Sequence, residues 1–265
     1  MASFSVVNNI ASQNAQANLQ LSSSGLNRSL ARLSSGLRIN NSGDDAAGMA
    51  VANSYRNDLA ILNQGIRNAN DGMSVLQVKD SALANIATVL DRMATLATQA
   101  ASDAGEADIA KLSAEFNTLT SEIDREAAVA GLTAASTAFS VFVSASNGTI
   151  SGTMAGVETA DLGITQTTFA TVAEAQTALT QVKAAVSTLA GVQNSVGTLQ
   201  NRLQFAISLS SSQVVNTTAA ESRIRDANIA EESANMTKFN ILSQSGIAAL
   251  AQANQASASV LGLLR

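Results

Sequence analysis

The 265-residue chain has no cysteine, histidine, proline or tryptophan, and aromatic residues make up only 3% of it. Without cysteine or histidine there is no thiol nucleophile, no imidazole base and no zinc site of the usual nitrogen and sulfur kind. No disulfide can form either, so cysteine usage neither supports nor contradicts an extracellular address. Charges and amides interrupt every apolar stretch well short of the ~18 residues of a membrane span. The opening residues Met1 to Ile10 have no basic segment and no sustained apolar run, so no Sec-type leader is expected. A dense basic stripe with interleaved aromatics is also missing, which excludes a nucleic-acid binder. In place of these residues stand alanine, serine, threonine, asparagine and glutamine, a composition for long thin helices meeting through small side chains.

Charge is modest and uneven. The net value is −5, from 15 basic and 20 acidic residues. Residues 1 to 43 carry Arg28, Arg32 and Arg38 and no acid, whereas most carboxylates fall between Asp44 and Glu126. That separation suits contact between neighbouring copies.

Residues 33 to 52 form a joint between two helical patterns. Leucines at 19, 26, 30, 33 and 37 mark one helix face, and Gly36 stands where a left-handed residue would stop it. Asp44 and Asp45 offer carboxylates to the first N–H groups of the next helix. Gly43 and Gly48 have the spacing of a phosphate-binding P-loop, but Met49 and Ala50 stand where Lys and Ser/Thr are needed, so a nucleotide site is excluded.

Further along, Ala69, Met73, Leu76, Leu83, Leu90 and Ala97 mark a helical seam broken at Asp80, with Asn53, Gly65 and Gly72 as weak points. Asp103 to Gly105 reads as a break, Asp108 as the cap of a helix ending near Ala130, and Gly131 as its stop. Glu122 and Arg125 are spaced to pair. Residues 127 to 157 are uncharged; Phe139 to Val143 reads as a strand, Asn147-Gly148 as a turn, and Thr149-Ile150 as a second strand. Asn147-Gly-Thr149 has the form of a glycosylation acceptor, yet a chain this rich in Asn, Ser and Thr makes such triplets by chance. From Val172 a seam runs through Leu179, Val182, Val186, Leu189, Gln193, Val196, Gln200, Leu203 and Ile207, and is expected to pack on the 69 to 97 helix. Glu221 and Arg225 then pair four apart. A last seam passes Met236, Phe239, Ser243, Gly246, Leu250, Ala253, Ser257, Val260 and Leu264. The first and last helices carry too little apolar surface to offset their ordering entropy alone, so they are expected to order only against each other and against neighbouring subunits.

The run Leu33-Ser34-Ser35-Gly36-Leu37-Arg38-Ile39-Asn40, with Asp44-Asp45-Ala46-Ala47-Gly48, resembles the N-terminal signature of bacterial flagellin. The other end agrees through Ser222 to Ala227, Asn235-Met236, Ala251 to Gln255, and Val260-Leu261 with Leu263 to Arg265. This resemblance covers roughly residues 1 to 130 and 165 to 265. It implies a mainly α fold: an elongated coiled-coil helical bundle formed by the N- and C-terminal halves, with a small β-rich segment in the middle. The expected divisions are 1–43, an N-terminal helix of the filament inner core; 44–130, half of a helical rod; 131–170, a short β-rich variable region; 171–225, the other half of the rod; and 226–265, a C-terminal inner-core helix. A metalloprotease insert, present in some members, needs two histidines and is excluded.

The function implied is a structural subunit that polymerises into the bacterial flagellar filament, without catalysis or cofactor. Polymerisation residues would be Leu26, Leu30, Leu33, Leu37 and Ile39 at one end, and Met236, Phe239, Leu250, Val260, Leu261 and Leu264 at the other. The resemblance also implies partners: the flagellar export apparatus, through which flagellins leave without a cleaved leader, an export chaperone, the filament cap and hook-associated proteins. Chaperone contact would fall on Ile241, Leu242, Ile247 and Leu250. Toll-like receptor 5 recognises some flagellins through a motif matched here at Arg92, Leu96 and Glu115, while Asp91, Ala94 and Thr95 depart from it. Two other roles share these features, a hook-filament junction protein and a secreted ligand of an innate immune receptor. Ser257 stands where many relatives have proline, so the last helix is expected to run on uninterrupted.

Overall fold

The computed structural model describes residues 8–102, 106–133, 135–144 and 148–262, with side chains omitted at 106–107 and 256–262. Five helices and one hairpin follow in the order α1 (Ile10–Ser35), α2 (Ala46–Ala100), α3 (Glu106–Ala130), β1 (Ser136–Ser144), β2 (Gly148–Ala155), α4 (Val172–Arg225) and α5 (Ile229–Gly262). They form two compact units: unit 1 comprises Met1–Asp58 and Asn216–Arg265, unit 2 Leu59–Val215. The mainly helical character and the small central hairpin match the sequence reading. Among the described residues no helix is long and apolar enough to cross a membrane.

Unit 2 has one continuous core. Helix α2 buries Ala69, Leu76, Leu83, Leu90 and Ala97, as its periodicity predicts, together with Ile86, Met93, Leu96 and Ala100. The seam does not break at Asp80, which points to solvent, because Lys79 occupies the inward position instead. Its ammonium donates to the carbonyl oxygens of Ala130 and Gly131 at the end of α3, placing a cation at the negative end of that helix. Burial pushes the Lys79 pKa below its ordinary value of 10.5. Gly131 has φ 62°, the left-handed stop expected of it. Asp108, expected as a cap, lies inside α3 and pairs with Lys111 at 3.3 Å. Glu122 and Arg125 do form their predicted pair, and Arg125 holds the Glu122 carboxyl below its usual value, chiefly through a hydrogen bond.

The glycines read as weak points do not interrupt α2, which runs unbroken for 55 residues. They are where the hairpin lies against it. A Cβ at Gly65 would sit 1.4 Å from the Val143 carbonyl oxygen, and one at Gly72 2.7 Å from the Val141 side chain. Both strands are longer than predicted and pair antiparallel from Ser136 with Ala155 to Phe142 with Thr149, with a bulge before Ser144. Gly152 lies against Leu199 of α4.

The α4 seam differs from the predicted one. Its buried positions are Ala175, Ala178, Val182, Ala185, Leu189, Val192, Val196, Leu199, Leu203, Ala206 and Ser210, again alternating three and four. Val182, Leu189, Val196 and Leu203 are shared with the prediction, but the intervening positions fall one residue earlier. Val186 is 41% exposed while Ala185 is fully buried. At 178, 185 and 206 alanine takes the inward place and lets the helices approach closely, at 192 and 199 Val and Leu take it from the neighbouring glutamines, and the core cluster joins α2, α3, α4 and the hairpin. Between hairpin and α4, Phe169 meets Phe116 edge to face at 5.3 Å. Asp124 accepts hydrogen bonds from the backbone and hydroxyl of Thr159, closing the irregular segment onto α3.

Candidate assembly surface

Unit 1 is built on the pairing of α1 with α5. Asn9 donates to the Ala253 carbonyl at 3.0 Å, Leu19 lies beside Gly246, Gly25 beneath the Phe239 ring, and Arg32 pairs with Glu232 at 3.1 Å. As one number rises the other falls, so the helices run antiparallel in constant register. A Cβ at Gly25 would come within 2.6 Å of the Phe239 ring; the ring can approach only because glycine is there.

The predicted C-terminal seam faces α1: Met236, Phe239, Ser243, Gly246, Leu250 and Ala253 are all half-buried. On α1 the inward face follows the leucine stripe only in part. Gly25 and Ser29 are buried, whereas Leu26 and Leu33 are half-buried and Leu30 is 45% exposed. Sequence reasoning missed Gly25, Ser29 and Glu232, and the i, i+4 pair of small residues was the available signal. Val260, Leu261 and Leu264 lie outside the residues whose side chains are described, as does Ser257.

A knot of backbone and charge holds the joint. Gly36 stops α1 in the left-handed conformation, φ 71°. Leu37 bridges Asp226, Arg38 N–H donates to the Arg225 carbonyl, and Ala227 N–H to that of Gly36. Asp45 caps α2 by accepting from Gly48 N–H at 2.8 Å. Asp44, expected to cap alongside it, turns away: its carboxylate accepts from the N–H groups of Asn41 and Asn40, 3.1 and 3.3 Å away, inside the loop. Those two bonds, aided by Arg32 and Arg28, hold its pKa below the ordinary value. Ile39 is 1% exposed. A Cβ at Gly48 would strike both Ile39 and the Asp45 carboxylate, which accounts for glycine at the end of the Asp-Asp-Ala-Ala-Gly run.

Among the candidate chaperone residues, Ile241, Leu242 and Ile247 are 58%, 43% and 57% exposed on the outer face of α5, and Leu250 turns inward. In unit 2, Arg92 and Glu115 pair on the surface at 2.6 Å, whereas Leu96 is 1% exposed in the core. The structure therefore does not bring the three receptor candidates to one surface.

Family models agree with this arrangement of ends. The bacterial flagellin N-terminal helical region matches residues 6–133, and the bacterial flagellin C-terminal helical region matches 179–264. The chain belongs to the bacterial flagellin family. Flagellin of Halalkalibacterium halodurans is 34% identical, covering 97% of this chain and 98% of that protein. Flagellin of Bacillus subtilis has the same identity and coverage, as does the flagellar filament 33 kDa core protein of Treponema phagedenis. A crystal structure of Bacillus cereus flagellin is similar over 58% of this chain and 94% of that one, with 28% identity and TM-score 0.49. The two flagellin models match the two stretches of chain that supply α1 and α5.

Proposed function

We propose that this flagellin is a structural subunit that polymerises through its paired terminal helices into the bacterial flagellar filament, the propeller of swimming cells. The observation that carries the reading is the outer face of that pair. Ile10 and Leu21 on α1 are 61% and 68% exposed, and Ile229 on α5 is 53% exposed. The inward face combines small residues with Leu19, Met236, Phe239 and Leu250, yet large apolar side chains are still left in water, a surface that further copies of the same chain would cover. Repeated with a screw operator, such heterologous contacts make an open filament. The work is mechanical and needs no bond made or broken.

Before assembly the outward residues Ile241, Leu242 and Ile247 are the natural contact for an export chaperone, which keeps them from premature association on the way to the export apparatus. The filament cap and hook-associated proteins are the further partners of this reading. Recognition by Toll-like receptor 5 would meet the Arg92–Glu115 pair but not Leu96, and a receptor reporter assay on purified monomer tests it.

Seeded growth of the purified chain, followed by negative-stain microscopy, tests the main reading. The whole chain should form long filaments, and chains lacking residues 1–35 or 236–265 should stay soluble with unit 2 folded. Normal filaments from either truncated chain would overturn the role given to the terminal helices.

A further inference from the structure

Unit 2 carries two exposed patches that its own core does not use. Along α4, Arg202, Phe205 and Leu209 stand at i, i+3 and i+7, so they share one face and span about 10 Å at 1.5 Å per residue. Phe205 is 75% exposed, the highest value for a large hydrophobic residue among those described, and Leu209 is 51% exposed. Arg202 donates to the Ser151 carbonyl at 3.0 Å, which holds its guanidinium in place at the surface. Along α2, Asp71, Val75 and Val78 stand at i, i+4 and i+7, the same length. Val75 and Val78 are 49% and 57% exposed, and Asp71 is exposed with no ion pair among the described residues. One patch offers a cation and two apolar groups, the other an anion and two apolar groups.

We propose that the Arg202–Phe205–Leu209 face of one copy docks on the Asp71–Val75–Val78 face of a second copy. This rests on the filament reading above and adds a contact outside the terminal helices. Charge favours the pairing over other approaches. Most of the chain's acids lie in unit 2, so copies brought together there repel. Between Glu174 and Glu221, however, α4 has no carboxylate and only the cations Lys183 and Arg202. A neighbour's acidic surface therefore meets attraction at this stretch. Because the two patches sit on different helices, each docked copy still offers one of each, and the contact can repeat without closing.

The test is the concentration of protein needed for seeded filament growth, read beside the melting curve of the monomer. Phe205→Ser and Val78→Ser remove exposed side chains, so melting should not change while the required concentration rises at least about tenfold. Should Phe205→Ser melt early, Val78→Ser decides. Arg202→Asp and Asp71→Arg should each weaken growth similarly, and together in one chain restore it. Growth of Phe205→Ser or Val78→Ser at the wild-type concentration would assign the patch to a different partner and overturn the docking. So would a charge-swapped double variant that grows no better than its parents. In both cases the wild-type filaments would still stand; a wild-type chain that forms none would overturn the filament reading and this contact with it.

Discussion

Units 1 and 2 draw on the same few residue types, yet they differ sharply in what they bury. Unit 2 encloses aliphatic side chains from three helices and a hairpin around Phe116 and Phe169. In unit 1 the fully buried hydrophobic residues, among those described, are Ile39 and Ala52, joined by Gly25, Ser29 and Glu232. Apolar burial is the main favourable term in folding. One unit thus obtains its stability inside a single chain; under the assembly proposed above, the other draws part of its own from neighbouring copies.

The contrast breaks most visibly under core substitution. Phe116→Ala, at a fully buried aromatic, should cost unit 2 about 3–5 kcal/mol and lower its melting temperature. Leu21→Ala, 68% exposed on α1, should change monomer stability by no more than about 0.5 kcal/mol while weakening filament growth. Equal losses in the two melts would erase the distinction. Hydrogen exchange on dilute monomer sharpens it residue by residue. Amides of α1 and α5 should exchange with little protection, and those around Leu83 to Leu96 and Val182 to Leu203 only with global opening. Slow amides throughout both terminal helices would show that unit 1 needs no neighbours.

Within unit 2, Lys79 is a polar group spent inside an apolar seam. Lys79→Met keeps the stem but leaves the Ala130 and Gly131 carbonyls without their donor, and should cost about 1–3 kcal/mol. Its pH dependence has a definite sign. The folded pKa lies below 10.5 because burial disfavours the charge, so the unfolded chain holds this proton more tightly and the charged form costs stability at neutral pH. That cost fades as pH rises through the folded value towards 10.5. The wild type should therefore gain on Lys79→Met over that window in parallel denaturant titrations. A gap that narrows would refute the assignment.

Much of this fold was legible because helix periodicity, Gly36, Gly131 and the Asp45 cap each follow from local rules that tertiary context did not override. Part of what escaped is where a smaller side chain takes the inward place. Periodicity places Leu179 and Val186 on the α4 seam, although Ala178 and Ala185 face the core: hydrophobicity ranks the larger residue first, but close helix approach selects the smaller. Gly25 and Ser29 were passed over on α1 for the same reason. Gly65 and Gly72 read as weak points because nothing local reveals that a hairpin some seventy residues away lies across them. At the candidate surface the inward stripe of α5 is readable from spacing, while the outward placement of Phe205 and Val78 shows only in exposures that a sequence does not contain.

The smallest expected effect lies in unit 1, at the loop between α1 and α2. The Asp44 carboxylate accepts two backbone N–H groups there, and its pKa is held below 3.8 by those bonds first and by Arg32 and Arg28 after them. A depressed carboxyl pKa contributes stability that is present above the unfolded value and lost as pH falls through the folded one. Wild type and Asp44→Asn should therefore differ in exchange of the joint amides near neutral pH and converge as pH falls through the folded value, which lies below 3.8. Because the Asp44 carboxylate accepts, among the described residues, only from the backbone of its own loop, the change should stay confined to residues 36–45 and leave unit 2 untouched. If the two chains differed just as much in strong acid as at neutral pH, the loop would owe its order to the β-bridge between Leu37 and Asp226, and the carboxylate would be incidental to it.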